Sequence, residues 1–285
     1  MEKRRIGDVA VSAIGLGGMP MSIEGRPGRE RALATIGAAL DAGVTLIDTA
    51  DAYTIDADGP GHNEELIAEA LRGRSENVLV ATKGGHIHRD GGPWDRRGDP
   101  EYLYNAARES LERLEVDAIG LYQFHRPDPG VPYEESVGAL RQLLEDGIIL
   151  MAGISNANIE QIEIADRVLG GRLVSVQNQF SPVFRSSLAE LEYCRAHEIA
   201  FLPWSPLGGI GRAGEVFAAN EAFAEIGREL DVSPQQVALA WELALGENVI
   251  PIPGASRPES IVDSARAADV VLSAEQLVRL NAWPA

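Results

Sequence analysis

One alternation, repeated eight times, constrains this chain more than any other feature: a short apolar run rich in β-branched residues, then an amphipathic helical pattern. The runs cover 13–17, 44–49, 78–83, 119–125, 150–155, 173–179, 200–205 and 249–253. Most are continuously apolar rather than alternating in and out, the pattern of parallel strands covered on both faces. The segments between them carry helix signals. Segment 29–42 stops at Gly43, 63–71 at Gly73, 100–114 opens on Pro100, 133–145 ends before Gly147, and 158–169 runs into Gly170-Gly171. Segments 187–198, 221–230 with 234–245, and 258–267 complete the set. In 285 residues this alternation predicts an α/β fold, a (β/α)8 TIM barrel forming a single domain over 1–285. An open dinucleotide-binding sheet would show G-x-G-x-x-G opening a helix after its first strand; Gly15-Leu16-Gly17-Gly18 follows the first run, but no helix opens behind it. Residues 4–11, with Gly7-Asp8 at their centre, predict a short N-terminal β-hairpin capping one end of the barrel.

Charge narrows the partners. Forty-three acidic residues against 25 basic ones give a net charge of −18, a field that repels phosphate backbones and anionic lipid, so neither nucleic acid nor membrane is an expected partner. Cys194 is the lone cysteine, the first twenty residues lack a signal-like apolar stretch, and no run reaches the 18 or so apolar residues of a membrane span. A cytoplasmic location is the expectation. Among the 25 basic residues only Lys3 and Lys83 are lysines. Codon bias accounts for the arginines but not for Lys83, which ends an apolar run just before Gly84-Gly85.

Barrel chemistry sits at the C-terminal ends of the strands, and the unusual residues fall there. The second run exits through Asp48 and Tyr53, the third through Lys83, the fourth through His125, and later ones through Ser155-Asn156, Gln177, Trp204 and Ser256-Arg257. Taken singly, Asp48 is as readily a helix cap, Tyr53 a packed phenol and His125 a loop residue bonded to backbone. Lys83 resists a bland reading, because an ammonium on an apolar strand needs a partner, and Asp48 on the adjacent strand is the natural one. Lys83 is expected to lower the pKa of Tyr53, making it a proton donor to a carbonyl oxygen, with His125 a second hydrogen-bond donor. The set holds no nucleophile and no metal ligands, so hydride must come from a nicotinamide cofactor. Ser155, Asn156 and Gln177 suit its carboxamide, Trp204 offers a stacking surface, and Ser256, Arg257 and the following helix N-terminus suit a phosphate.

Together these residues resemble the aldo-keto reductase family from end to end. The matches are Leu46-Ile47-Asp48-Thr49-Ala50 with Tyr53, Ala81-Thr82-Lys83, Leu121-Tyr122-Gln123-Phe124-His125, Gly153-Ile154-Ser155-Asn156, Gln177-Asn178, Trp204-Ser205-Pro206-Leu207-Gly208 and Ile252-Pro253-Gly254. The resemblance implies an NADP-dependent oxidoreductase that reversibly reduces an aldehyde or ketone, with Asp48, Tyr53, Lys83 and His125 as the catalytic set. It implies cofactor contacts at Gly18, Ser155, Asn156, Gln177, Trp204, Ser205, Leu207, Gly254, Ser256 and Arg257, the last favouring NADPH/NADP+ over NADH. A small-molecule carbonyl substrate and a monomer or weak homo-oligomer follow. Arg126 stands where many members have Trp after the histidine, Trp204 where Tyr or Phe is common, and Asp263-Ser264 where a Glu-Asn pair meets adenine. The run through His125-Arg126 and the Gly-rich third loop resemble bacterial members that include pyridoxal reductases.

Segment 84–99 reads as a long polar loop whose His86, His88 and Trp94 rim the pocket, the two histidines being too few for a metal site. The short tail after Leu272 leaves the pocket open on one side. Two other functions compete: an aldolase-type barrel using Lys83 as a Schiff-base lysine, and a non-catalytic NADPH-sensing subunit.

Overall fold

A computed structural model describes residues 1–55, 58–88, 94–211, 217 and 221–282. Strands β1 (Lys3–Ile6) and β2 (Val9–Ser12) form the expected antiparallel hairpin, with Gly7 supplying the positive φ of 53° at its turn. Then come β3 (Leu16–Gly17), β4 (Leu46–Asp48), β5 (Leu79–Gly84), a second hairpin of β6 (His86–His88) and β7 (Trp94–Arg96), β8 (Leu121–Phe124), β9 (Ala152–Ser155), β10 (Leu173–Gln177) and β11 (Ala200–Phe201). Apart from the two hairpins, the strands make one parallel sheet whose neighbours follow chain order from β3 to β11. Every residue of β4, β8 and β9 is buried, as their apolar sequences require of strands covered by helices.

The eighth run closes the ring without forming a continuous strand. The amides of Ile250 and Ile252 donate to Phe201 and Pro203 on one side (2.9 and 3.2 Å), and the carbonyls of Pro251 and Pro253 accept from Gly15 and Gly17 on the other (both 2.9 Å). Two prolines lack the N–H groups that would return the ladder to the first strand, so only half of that ladder exists. The barrel is a (β/α)8 barrel with a seam between its first and last staves. Ile6 and Val11 of the N-terminal hairpin pack with Leu46, Leu79, Leu121, Ala200, Leu202 and Ile250, stoppering the end away from the strand exits.

Helices follow the capping signals closely. They are α1 (Arg29–Asp41), α2 (His62–Leu71), α3 (Pro100–Leu114), α4 (Tyr133–Glu145), α5 (Ile159–Leu169), α6 (Leu188–Ala196), α7 (Glu221–Leu230), α8 (Pro234–Ala244), α9 (Pro258–Arg266) and α10 (Ala274–Asn281). Asp99 caps α3 by accepting from Tyr102, and Asn158 with Gln161 forms a reciprocal capping box on α5; each such cap is worth about 1 kcal/mol. One segment differs from expectation. Residues 86–88 and 94–96 are paired antiparallel strands rather than polar loop, His86, Ile87 and His88 lying in register with Arg96, Asp95 and Trp94. The tail after Leu272 forms α10, opened by a Ser273–Gln276 capping box.

Helix α8 is buried from Gln236 to Leu243, and it carries a carboxyl group inside with it. Glu242 has no exposed surface, neither side-chain oxygen has a hydrogen-bond partner among the described residues, and burial holds the group well above its usual value near 4.5. The folded carboxyl therefore keeps a proton that the unfolded chain releases above about pH 4.5, and stability falls as pH rises through that interval. The Glu242→Gln variant removes this loss. Its melting temperature relative to the parent is expected to climb steadily between about pH 4.5 and pH 8 by differential scanning calorimetry; a pH-independent difference would contradict the assignment.

Candidate active site

Strand β5 delivers Lys83 to the open end of the barrel, where its side chain has no exposed surface. The ammonium spends all three N–H groups: on Asp48 Oδ2 (2.7 Å), on the Thr49 carbonyl (2.7 Å) and on Tyr53 Oη (3.1 Å). Burial alone would drive Lys83 toward the neutral amine, but the charges and hydrogen bonds of Asp48 and Tyr53 outweigh it and hold the group above its usual value. Asp48 is the ionised partner. Burial pushes its carboxyl up and Lys83 opposes; its Oδ1 also accepts from Gln177 Nε2 at 2.7 Å, so both oxygens are occupied as acceptors. A Schiff-base role requires a neutral amine with a free lone pair, and this lysine has neither.

Tyr53 accepts from Lys83, which leaves its own phenolic proton for another acceptor. The expected lowering of its pKa is not what the surroundings produce: burial raises Tyr53 above its usual value, and the opposing field of Lys83 only partly offsets that. The hydroxyl is therefore a firm proton holder at neutral pH. The His125 ring meets the Tyr53 ring edge-on, centroids 5.8 Å apart. His125 is buried and held well below the usual histidine range, first by burial and then by the charges of Lys83, His86 and Arg126, so it is a neutral imidazole. Its Nδ1 is enclosed without a partner; since a buried N–H without an acceptor costs more than a buried lone pair, the ring proton belongs on Nε2.

Asp48, Tyr53 and His125 line one end of a cavity of about 870 Å³ that also takes in Ser155, Asn156, Gln177, Trp204, Ser205 and Leu207 and reaches Gly254, Ser256 and Arg257. Lys83 lies behind it. Several polar lining groups are already engaged with one another. Ser155 Oγ donates to the Gln177 carbonyl (2.7 Å), and Asn156 bridges the His125 carbonyl (3.0 Å) and the Trp204 indole N–H (3.2 Å), holding a left-handed φ of 57° as it does so. At the far end, α9 starts at Arg257 with no side-chain cap on its first amides, and Arg257 Nη2 lies 3.3 Å from Ser260 Oγ. An anion placed there meets the positive end of the helix, a hydroxyl and a guanidinium.

Gly18 lies just behind the cavity wall. Its amide donates to the Asp48 carbonyl (2.8 Å), its carbonyl accepts from Asn63 (3.0 Å), and an added Cβ would meet the Asp48 carbonyl at 2.9 Å, so its smallness serves packing under Asp48. Gly17 and Met19 on either side are the cavity residues. Asp263 is engaged away from any ligand, accepting from Ser233 (2.7 Å) and Gln236 (2.6 Å). The sequence reading missed Arg96, which lines the cavity from β7; the alternation of Trp94 and Arg96 about Asp95 was the available signal. No group of three or more potential metal ligands exists among the described residues.

Residues 13–283 match the model of the aldo/keto reductase family. The chain is 32% identical over 283 residues to an uncharacterized oxidoreductase of Schizosaccharomyces pombe, spanning 97% of this chain and 88% of that protein. It is 33% identical over 266 residues to a probable aldo-keto reductase of Glycine max, spanning 84% of this chain and 75% of the other. Among solved structures it resembles an aldo/keto reductase from Klebsiella pneumoniae in complex with NADP and acetate, with a TM-score of 0.81, 29% identity and coverage of 98% and 94%. It also resembles the glycerol dehydrogenase of Gluconobacter oxydans, with a TM-score of 0.84, 27% identity and coverage of 98% and 94%.

The buried ion pair sets the energetics of the site. Lys83→Met leaves Asp48 charged and unpaired in the interior and is expected to cost about 3–5 kcal/mol in urea unfolding. Adding Asp48→Asn removes the stranded charge, so the double variant should be clearly more stable than the sum of the two single losses; strict additivity would mean that the two groups do not interact.

Proposed function

The chain belongs to the aldo/keto reductase family, and from that premise we propose that it reduces an aldehyde or ketone to an alcohol with NADPH, Tyr53 supplying the proton. One observation carries the reading: a buried ammonium donates to the Tyr53 hydroxyl, so the phenolic proton is left for an acceptor in the cavity. When bound, NADPH supplies the hydride. Tyr53 then gives its proton to the carbonyl oxygen as negative charge develops there, and Lys83 stabilises the phenolate that remains. Asp48 keeps Lys83 protonated and aimed. The His125 Nε2–H donates a hydrogen bond to the same oxygen without delivering a proton, because the ring is neutral throughout.

The cavity fits the cofactor that this chemistry needs. Ser155, Asn156 and Gln177 hold the carboxamide beside Asp48, and Trp204, kept in place through its indole N–H on Asn156, gives the nicotinamide a flat face. Ser205, Leu207 and Gly254 line the span between, and Ser256 and Arg257 at the start of α9 receive the 2′-phosphate, which favours NADPH over NADH.

Tyr53→Phe is expected to lose at least about a hundredfold in kcat while NADPH still quenches tryptophan fluorescence with near-parental affinity. Turnover equal to the parent's would end this mechanism; no turnover of any aldehyde, ketone or pyridoxal by the parent would favour a cofactor-sensing role instead. With Tyr53 held up and His125 held down, kcat/KM for reduction should stay level from about pH 6.5 to about pH 10 and fall only above that. In cofactor titrations, Arg257→Ala should shrink the ratio of NADPH to NADH affinity by about tenfold or more, and an unchanged ratio would move the phosphate elsewhere.

A further inference from the structure

Among the described residues, two guanidinium groups beside Tyr53 and His125 have no carboxylate within ion-pair distance. Arg126 follows His125 in the chain, is half-buried, lines the same cavity and holds its Cζ 5.9 Å from the centroid of the Trp204 ring. The nearest acidic residue in sequence, Asp128, is engaged elsewhere, its two oxygens accepting from the amides of Gly98 and Gly130 at 2.8 Å each. Arg96 arrives from the β6–β7 hairpin. It is in register with His86, so the two side chains share a face, and Trp94 two residues earlier shares it too. His86 stacks on Trp94 at 4.5 Å and touches the His125 ring edge-on at 4.8 Å, which lays this face over the active site.

Several arginines elsewhere are matched with acids: Arg26 with Asp58, Arg72 with Glu115, Arg113 with Glu64, Arg141 with Glu145 and Arg279 with Glu225 and Glu229. Among the described residues neither Arg96 nor Arg126 has such a mate. Burial and the charge of Arg96 both push the Arg126 pKa down, a strain that an anion relieves. The cofactor phosphate does not account for these cations, because Arg257 and Ser256 follow the eighth stave whereas Arg126 follows the fourth, on the opposite side of the ring.

Building on the reductase reading, we propose that the substrate is an anionic carbonyl compound, its carboxylate or phosphate bound by Arg126 and Arg96 while its C=O faces Tyr53 and His125. The stacked His86 and Trp94 cover the body of the molecule. Reduction itself is unchanged: hydride adds to the carbonyl carbon, the phenolic proton to its oxygen, and the anionic group passes through intact.

The test compares matched pairs with NADPH at low ionic strength: 4-formylbenzoate against its methyl ester, and glyceraldehyde 3-phosphate against glyceraldehyde. The anion should be favoured by about tenfold or more in kcat/KM for at least one pair, mostly through KM, with the advantage shrinking as salt is added. The pair with the larger ratio identifies carboxylate or phosphate. Arg126→Met should bring that ratio close to one, Arg126→Lys should retain part of it, and Arg96→Gln should reduce it. Ratios near one in the parent, or a ratio untouched by Arg126→Met, would overturn the proposal. If no aldehyde of either kind is turned over, the reductase reading fails instead, and tryptophan quenching by 4-(hydroxymethyl)benzoate against its methyl ester then decides: preferential, Arg126-dependent binding of the anion upholds the site, and equal binding removes it.

Discussion

A fully enclosed ammonium organises this protein. Lys83 cannot stay protonated inside the barrel unless acceptors surround it, and the three that do differ in what they provide: the Asp48 carboxylate balances the charge, the Thr49 carbonyl ties it to the strand exit, and the Tyr53 hydroxyl accepts while keeping its own proton for another acceptor. A planar guanidinium with five donors does not fit a pocket built for three, which gives a lysine at this position a physical reason in a chain that otherwise relies on arginine. The arrangement depends on register. Asp48 of β4 is paired with Ala81 of β5, and Lys83 lies two residues further toward the opening, on the same face of its strand.

Charge is distributed against the global balance. The molecule carries an excess of acid, yet the cavity gathers Arg96 and Arg126 at one end and Arg257 at the other. Arg126 is half-buried, and its partial desolvation makes its charge count for more than that of a fully exposed cation. An anionic ligand approaching this acidic protein thus finds positive charge inside the cavity that Tyr53 lines. The same enclosure raises Tyr53 and lowers His125, keeping one a proton donor and the other neutral over the same pH range.

Much of this architecture was legible in the sequence because helix ends advertise themselves. Pro100, Asn158 and Gly170 marked boundaries that the structure keeps to within a residue or two, Asn158 by accepting from an amide that the helix start exposes. The strand exits were legible because polar residues on apolar runs are costly. What did not show was anything decided by pairing partners. The sequence set His86 and Trp94 at the pocket rim, but its polar composition did not show that residues 86–88 and 94–96 pair as strands. The eighth stave is broken by prolines whose effect depends on which side their missing amides face. The close packing of Gly18 against Asn63 and the Asp48 backbone was equally invisible. The pKa of Tyr53 depended on a competition between burial and the Lys83 field that no spacing reveals.

The scarcity of lysine has a further meaning for a protein that handles reactive carbonyls. Aldehydes condense with neutral amines to imines, whereas guanidinium groups stay protonated and are poor nucleophiles at neutral pH. Among side chains, Lys3 is the only exposed amine, and Lys83 is enclosed and held as the ammonium. The surface is therefore nearly inert toward aldehydes, and the one amine at the reaction centre is shielded from them by the hydrogen bonds that make it useful.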